Sequence, residues 1–278
     1  MTSTTATASG LLSPETVNEL IVKPVLSQSI ATQVSTVVQT GSHEHRVPIV
    51  NADPSASWVA EVAEIPTSEL DVSELTIVPA KLAGLSVISA ELAKDSSPAA
   101  ATAVGAGLAR DLARKLDAAY FGALLSPAPS GLGALVGVTA VSAGASYTDL
   151  DPFLEALSKA EELGAVIGAF VTSPAVALTL SKIKGATGSK VPLLQPDPAS
   201  PSGRVISGVP LYVSPAVEAG TVWAVPRDRS IVVVRQGATV EADASPYFSS
   251  DRVAVRAILR VGLAYPQPEA VIKVSVTA

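Results

Sequence analysis

The chain contains no cysteine. That absence removes disulfides, zinc–thiolate centres and thiol nucleophiles together. Histidine occurs twice, at His43 and His45, so a histidine-dependent catalytic triad elsewhere in the chain is excluded. Aromatic residues make up only 4% and charged residues 16%, against 48% hydrophobic and a mean hydropathy of +0.42. Small apolar residues, Ala and Val above all, supply the difference. So much apolar content with so few charges points to a surface that is buried between subunits. No run approaches the roughly 18 uninterrupted apolar residues that a bilayer span needs, so no membrane association is expected. The first ten residues lack the charged start and apolar core of a signal peptide and read as a polar arm. A net charge of −6 and a pI near 5.0 argue against a dedicated nucleic-acid binder, which needs clustered Lys and Arg.

Positive charge is also missing from one long interval. Between Arg46 and Lys81 stand Asp53, Glu61, Glu64, Glu69, Asp71 and Glu74, with no Lys or Arg among them. Strand-forming runs occur at Val47–Val50, Trp58–Val62 and Leu75–Val78, separated by turn-rich and polar stretches, and together they predict a long β-hairpin. An isolated hairpin is marginal in water, so this one is expected to lean on another surface, and that surface should be basic.

Before the hairpin, Ser13 and Pro14 open a short helix to about Val22. After it, Lys81–Ser89 reads as a strand that ends in a helical turn at Ala90–Lys94. Asp95, Ser96, Ser97 and Pro98 then start a long helix that runs to about Leu125. Val104, Leu108, Leu112, Leu116 and Tyr120 form its buried stripe, while Arg110, Asp111, Arg114, Lys115 and Asp117 are assigned to the other side. Gly105 and Gly107 interrupt it and mark either a close backbone approach or a bend. Beyond Gly131 the chain alternates: helices at Thr148–Leu163 and Pro174–Lys184, a buried strand at Ala169–Thr172, a polar loop from Gly185 to Gly203, and several strands to the end. This mixture is α+β. In the strand Asp251–Leu263, Arg252, Arg256 and Arg260 share one parity and the apolar residues take the other. That basic face is the natural counterpart of Glu61, Glu64, Glu69, Asp71 and Glu74 on another copy of the chain.

The remaining motifs have plainer readings. His43 and His45 lie on one side of an extended segment but have no third ligand nearby. Gly185–Lys190 lacks the Gly-Lys-Ser/Thr order of a phosphate loop, and Gly131-Leu132-Gly133 lacks the third glycine of a dinucleotide site. Asp149 and Asp151 precede Pro152 as helix-start groups. No catalytic residue, metal or cofactor is expected, and an enzyme with a disguised site is disfavoured.

Trp58-Val59-Ala60-Glu61, Lys81-Leu82-Ala83, the run from Ser89 to Ser96 and the helix end Leu116–Gly122 together resemble major capsid proteins of tailed bacteriophages, over essentially the whole chain. The resemblance implies the Hong Kong 97-like fold. It implies an N-terminal arm (1–43), an extended loop (44–80), a peripheral domain with a spine helix (81–125 and 229–262) and an axial domain (126–228 and 263–278). The implied role is structural: hexamers and pentamers of this chain close into an icosahedral shell around double-stranded DNA, in the virion, after assembly in the bacterial cytoplasm. The arm begins within a few residues of Met1, which points to a separate scaffolding protein; a portal is a further implied partner. Some family members crosslink through a loop lysine and a peripheral-domain asparagine. Here the loop has no lysine and the asparagines are Asn18 and Asn51, so that chemistry is not expected. The alternative is an encapsulin-type nanocompartment, which resembles the same fold and packages cargo enzymes.

Overall fold

The computed structural model describes residues 23–52, 56–60, 64, 66–67, 71–89, 99–185, 192–194, 202–243 and 245–277. Helices Lys23–Gln28 and Ile30–Val34 lead into strands β1 (Thr36–Thr40), β2 (His45–Ala52), β3 (Asp71–Ile77) and β4 (Ala80–Ser89). The long helix Ala99–Phe121 follows, then β5 (Thr139–Ser142), helix Asp151–Glu162, β6 (Ile167–Thr172) and helix Pro174–Lys182. Six strands complete the chain: β7 (Val205–Ile206), β8 (Val209–Val213), β9 (Thr221–Pro226), β10 (Ile231–Asp243), β11 (Arg252–Ala264) and β12 (Ile272–Ser275). The class is α+β, as expected.

One sheet has the order β1-β10-β11-β4. The first strand runs parallel to β10, from Thr36 opposite Ile231 to Thr40 opposite Arg235, so the start of the chain is pinned to its last third. Alternation along β11 sends Ala257, Leu259 and Val261 inward and leaves Arg252, Arg256 and Arg260 exposed on the other face. Leu112, Leu116 and Tyr120 of the long helix cover the inner face, with Leu108 partly buried beside them. The side chain of Val104 lies outside those described, and from Leu108 to Tyr120 the expected stripe forms. Its close approach to the sheet is made at Gly84, where a Cβ would lie 3.1 Å from Leu108 Cδ2. A Cβ at Gly107 would meet only the Arg110 guanidinium, at 3.8 Å, so of the two readings of this glycine the close backbone approach is not made within the subunit.

The second sheet has the order β5-β12-β9-β6-β8-β7. One of its faces, carrying Phe170, Ala224, Ile272 and Val274, packs under the helices Asp151–Glu162 and Pro174–Lys182 through Phe153, Ala160 and Leu180. The opposite parity, Ala169, Val171, Trp223 and Val225, joins the core beneath the long helix. Both faces are thus covered, and β9 is buried along its whole length. The two sheets share apolar packing rather than meeting through a linker.

Several local expectations change. Residues 23–40, read from sequence as the end of an arm, are two short helices and a strand laid on the long helix and the first sheet. The helix expected near Pro14–Val22 and the turn at Ala90–Lys94 lie outside the described residues. Residues 56–60 have no regular structure, so the described part of the strand expected at Trp58–Val62 is not strand. Gly131 is more than a turn residue: a Cβ there would stand 1.9 Å from Ala119 O, because the chain folds back against the carbonyls that end the long helix.

Asp117 is the main correction. Helical spacing places it opposite the buried stripe, yet only 8% of its surface is accessible. Ser29 Oγ donates to Asp117 Oδ1 at 2.6 Å, Ala31 N–H to the same oxygen at 3.0 Å, and Ile30 N–H to Oδ2 at 3.2 Å. The carboxylate therefore supplies the N-cap that helix Ile30–Val34 lacks from its own side chains. Burial raises its pKa above the ordinary 3.8, and the three hydrogen bonds only partly oppose that. Three residues further along the long helix, Tyr120 Oη accepts from Ser35 Oγ at 2.7 Å. Desolvation pushes that phenol up to about 12.

Candidate functional site

The hairpin forms from β2 and β3, paired antiparallel from His45 opposite Ile77 to Ala52 opposite Asp71. Its foot is seated on the outer face of the first sheet: Ile77, with Val47 and Leu75, packs on Val233, Ala264 and Ile231. Gly262 permits this approach, since a Cβ there would meet Ile77 Cγ2 at 2.5 Å. Beyond the foot the described part of the hairpin is largely exposed. Val50 and Val72, opposite one another in register, are both about half exposed, and Trp58 is fully exposed. Glu64, Asp71 and Glu74 are exposed as well. Glu61 and Glu69 lie outside the described residues. The hairpin is not wholly uncompensated: Arg46 Nη1 lies 3.5 Å from Glu74 Oε2 and Arg46 Nη2 3.8 Å from Glu44. Such exposed pairs contribute about 0–1 kcal/mol. Arg46 bounds the lysine-free interval in sequence, and strand pairing brings it back across to Glu74.

The proposed counterpart is the outer face of the first sheet. All three arginines, Arg252, Arg256 and Arg260, are exposed there, but register makes them unequal. Arg260 stands between Arg235 of β10 and Lys81 of β4, whereas Arg256 stands between Glu241 and Leu85. The Ser245 hydroxyl and backbone N–H hold the exposed Asp243 carboxyl below its usual value, and Arg256 adds to that effect. Leu85, 63% exposed, and Val87 share this face. Lys81 and Arg235 were not singled out from sequence. Each looks like an isolated surface cation until register aligns the strands.

Two concavities flank these surfaces. A cleft of about 840 Å³ lies between the hairpin and the second sheet, lined by Ile49, Val50, Val136, Arg229 and Pro268 among others. A smaller apolar groove of about 300 Å³ runs past the end of the long helix between Lys81, Lys115, Leu124 and Leu125. His43 is exposed at the turn before β2. Among the described residues no group of three or more His, Cys, Asp or Glu is placed to hold a metal ion, and no helix is long and apolar enough to cross a membrane. The arrangement presents apolar and charged surface suited to protein contact.

Comparison with known proteins agrees with that character. The sequence matches the phage capsid family over residues 9–276. No curated protein matches it. Among solved structures, one from Mycobacterium phage Bobi superposes with a TM-score of 0.72 at 19% identity, covering 90% of this chain and 91% of that one. The capsid of a native GTA particle gives 0.69 at 21% identity, covering 88% and 89%. A virus-like particle from Pyrococcus furiosus gives 0.60 at 13% identity, covering 94% and 98%.

Proposed function

This chain belongs to the phage capsid family, and from that membership we propose that its copies close into an icosahedral shell, as hexamers and pentamers, around double-stranded DNA. It is a structural protein of the virion capsid with the Hong Kong 97-like fold. The observation that carries the assembly reading is the hairpin, which is anchored at its foot by its own subunit and otherwise exposes apolar and acidic side chains. Hairpin carboxylates Glu61, Glu64, Glu69, Asp71 and Glu74 meet the Arg252, Arg256 and Arg260 face of an adjoining copy. Each pair is weak in isolation, and repetition around a closed shell multiplies the effect.

The division into arm (1–43), extended loop (44–80), peripheral domain (81–125, 229–262) and axial domain (126–228, 263–278) is supported by the two sheets. The first draws mainly on the peripheral segments and the second mainly on the axial ones. Residues 23–40 rest on the peripheral part. In this reading the protein has no catalytic role, assembles in the host cytoplasm with a separate scaffolding protein and a portal, and touches DNA only weakly and without sequence preference. The nanocompartment alternative has less support, since the matching family is that of phage capsids.

Expression of the full chain, followed by negative-stain microscopy and analysis of particle contents, tests the reading. Closed shells that retain nucleic acid are the expected result. Shells filled with a protein cargo point to the nanocompartment, and a small soluble oligomer overturns both.

A further inference from the structure

We propose that Lys81, Arg235 and Arg260 form a single anion-receiving rung on the outer face of the first sheet, which takes carboxylates from the hairpin of a second copy of this chain. The proposal rests on the shell reading above and specifies where in the interface charge is exchanged. Register puts Arg260 of β11 directly between Arg235 of β10 and Lys81 of β4. Residues directly opposed in a sheet share a face, with Cβ atoms roughly 4.5–5.5 Å apart, and like charges so placed destabilise the pairing. Among the described residues, none of the three makes an ion pair or a side-chain hydrogen bond. The far end of the same face differs: Arg256 stands opposite Glu241 and acts on Asp243. Charge is answered within the subunit there, and at the rung it is left for a partner.

The surroundings select the partner. Four residues along β4 from Lys81, on the same face, Leu85 is 63% exposed. Lys81 also lines the apolar groove that holds Leu124 and Leu125. A phosphate backbone offers nothing to such apolar surface. A hairpin that carries exposed Val50, Val72 and Asp71 on its strands and exposed Glu64 in the segment between them matches both the apolar and the cationic parts.

The test follows assembly of the purified full chain by light scattering and electron microscopy. It compares wild type, the reversed triple variant K81E/R235E/R260E, the neutral triple variant K81Q/R235Q/R260Q, and the control K182Q, an exposed cation on helix Pro174–Lys182 away from this face. Circular dichroism of unassembled subunits registers any folding failure separately, and if the reversed variant does not fold the neutral one carries the test. Both triple variants are expected to raise the threshold concentration for shells by about tenfold or more, and K182Q by less than about twofold. Mixing the reversed variant with E64K/D71K chains is expected to restore mixed shells. Unchanged thresholds in the neutral variant, while the wild type forms shells, overturn the rung and leave the shell reading intact. Normal shells that lose copurifying nucleic acid assign the rung to nucleic acid and overturn the docking. A wild type that forms no shells overturns the shell reading and the rung with it.

Discussion

Asp117 ties residues 29–31 to the long helix across sequence separations of 86 to 88 residues. Asp117→Ala leaves two backbone N–H groups and a buried hydroxyl without their acceptor. It is expected to destabilise the subunit by about 2–4 kcal/mol, measured by chemical denaturation. The same site carries a pH dependence. Burial raises the folded-state pKa above 3.8, so the carboxyl binds a proton more readily folded than unfolded. Its stabilising contribution is full below the unfolded value and is lost as pH rises through the raised folded one. Melting curves between about pH 4 and pH 7 should show wild type gaining on Asp117→Asn as pH falls. The opposite slope, with wild type losing on acidification, contradicts the assignment. None of this was legible in the sequence. Asp117 sits among charged neighbours at helical spacing, and its burial is decided by a helix that lies far earlier in the chain.

At the scale of elements, the long helix was the most readable part. Its four-residue recurrence named Leu112, Leu116 and Tyr120 before any partner was known, because a 3.6-residue period leaves one stripe to bury. Leu112→Ala and Leu116→Ala are each expected to cost about 2–5 kcal/mol by lost transfer energy and cavity formation. Gly107→Ala should do the reverse and stabilise the isolated subunit by up to about 1 kcal/mol, since ordinary space surrounds the added methyl. Thermal melts of the three variants check both signs, and destabilisation by Gly107→Ala would show a contact that the isolated subunit does not contain. The hairpin and the arginine strand were also legible, from single-sign charge and period-two alternation. Register was not: which cation faces which is a property of three strands drawn from residues 80–89, 231–243 and 252–264. For that reason Arg256 and Arg260 looked equivalent in sequence and are not so in the fold.

At the scale of the whole molecule, family membership and fold describe a shell subunit, and the chemistry limits how its copies are held. With no cysteine and no loop lysine, neither disulfides nor the lysine–asparagine link are available between subunits. Boiled, detergent-treated particles should therefore run as one band near 28 kDa, and a ladder of multimers would falsify the non-covalent account. On the proposed reading, strength then comes from buried apolar area and from hairpins laid across neighbours. A cryo-electron microscopy reconstruction of assembled particles tests that most directly. The expected map shows closed shells in which β2 and β3 of each subunit lie over the outer face of an adjoining β11, with carboxylates at Lys81 and Arg260. Shells in which every hairpin lies on its own subunit, away from that face, contradict it.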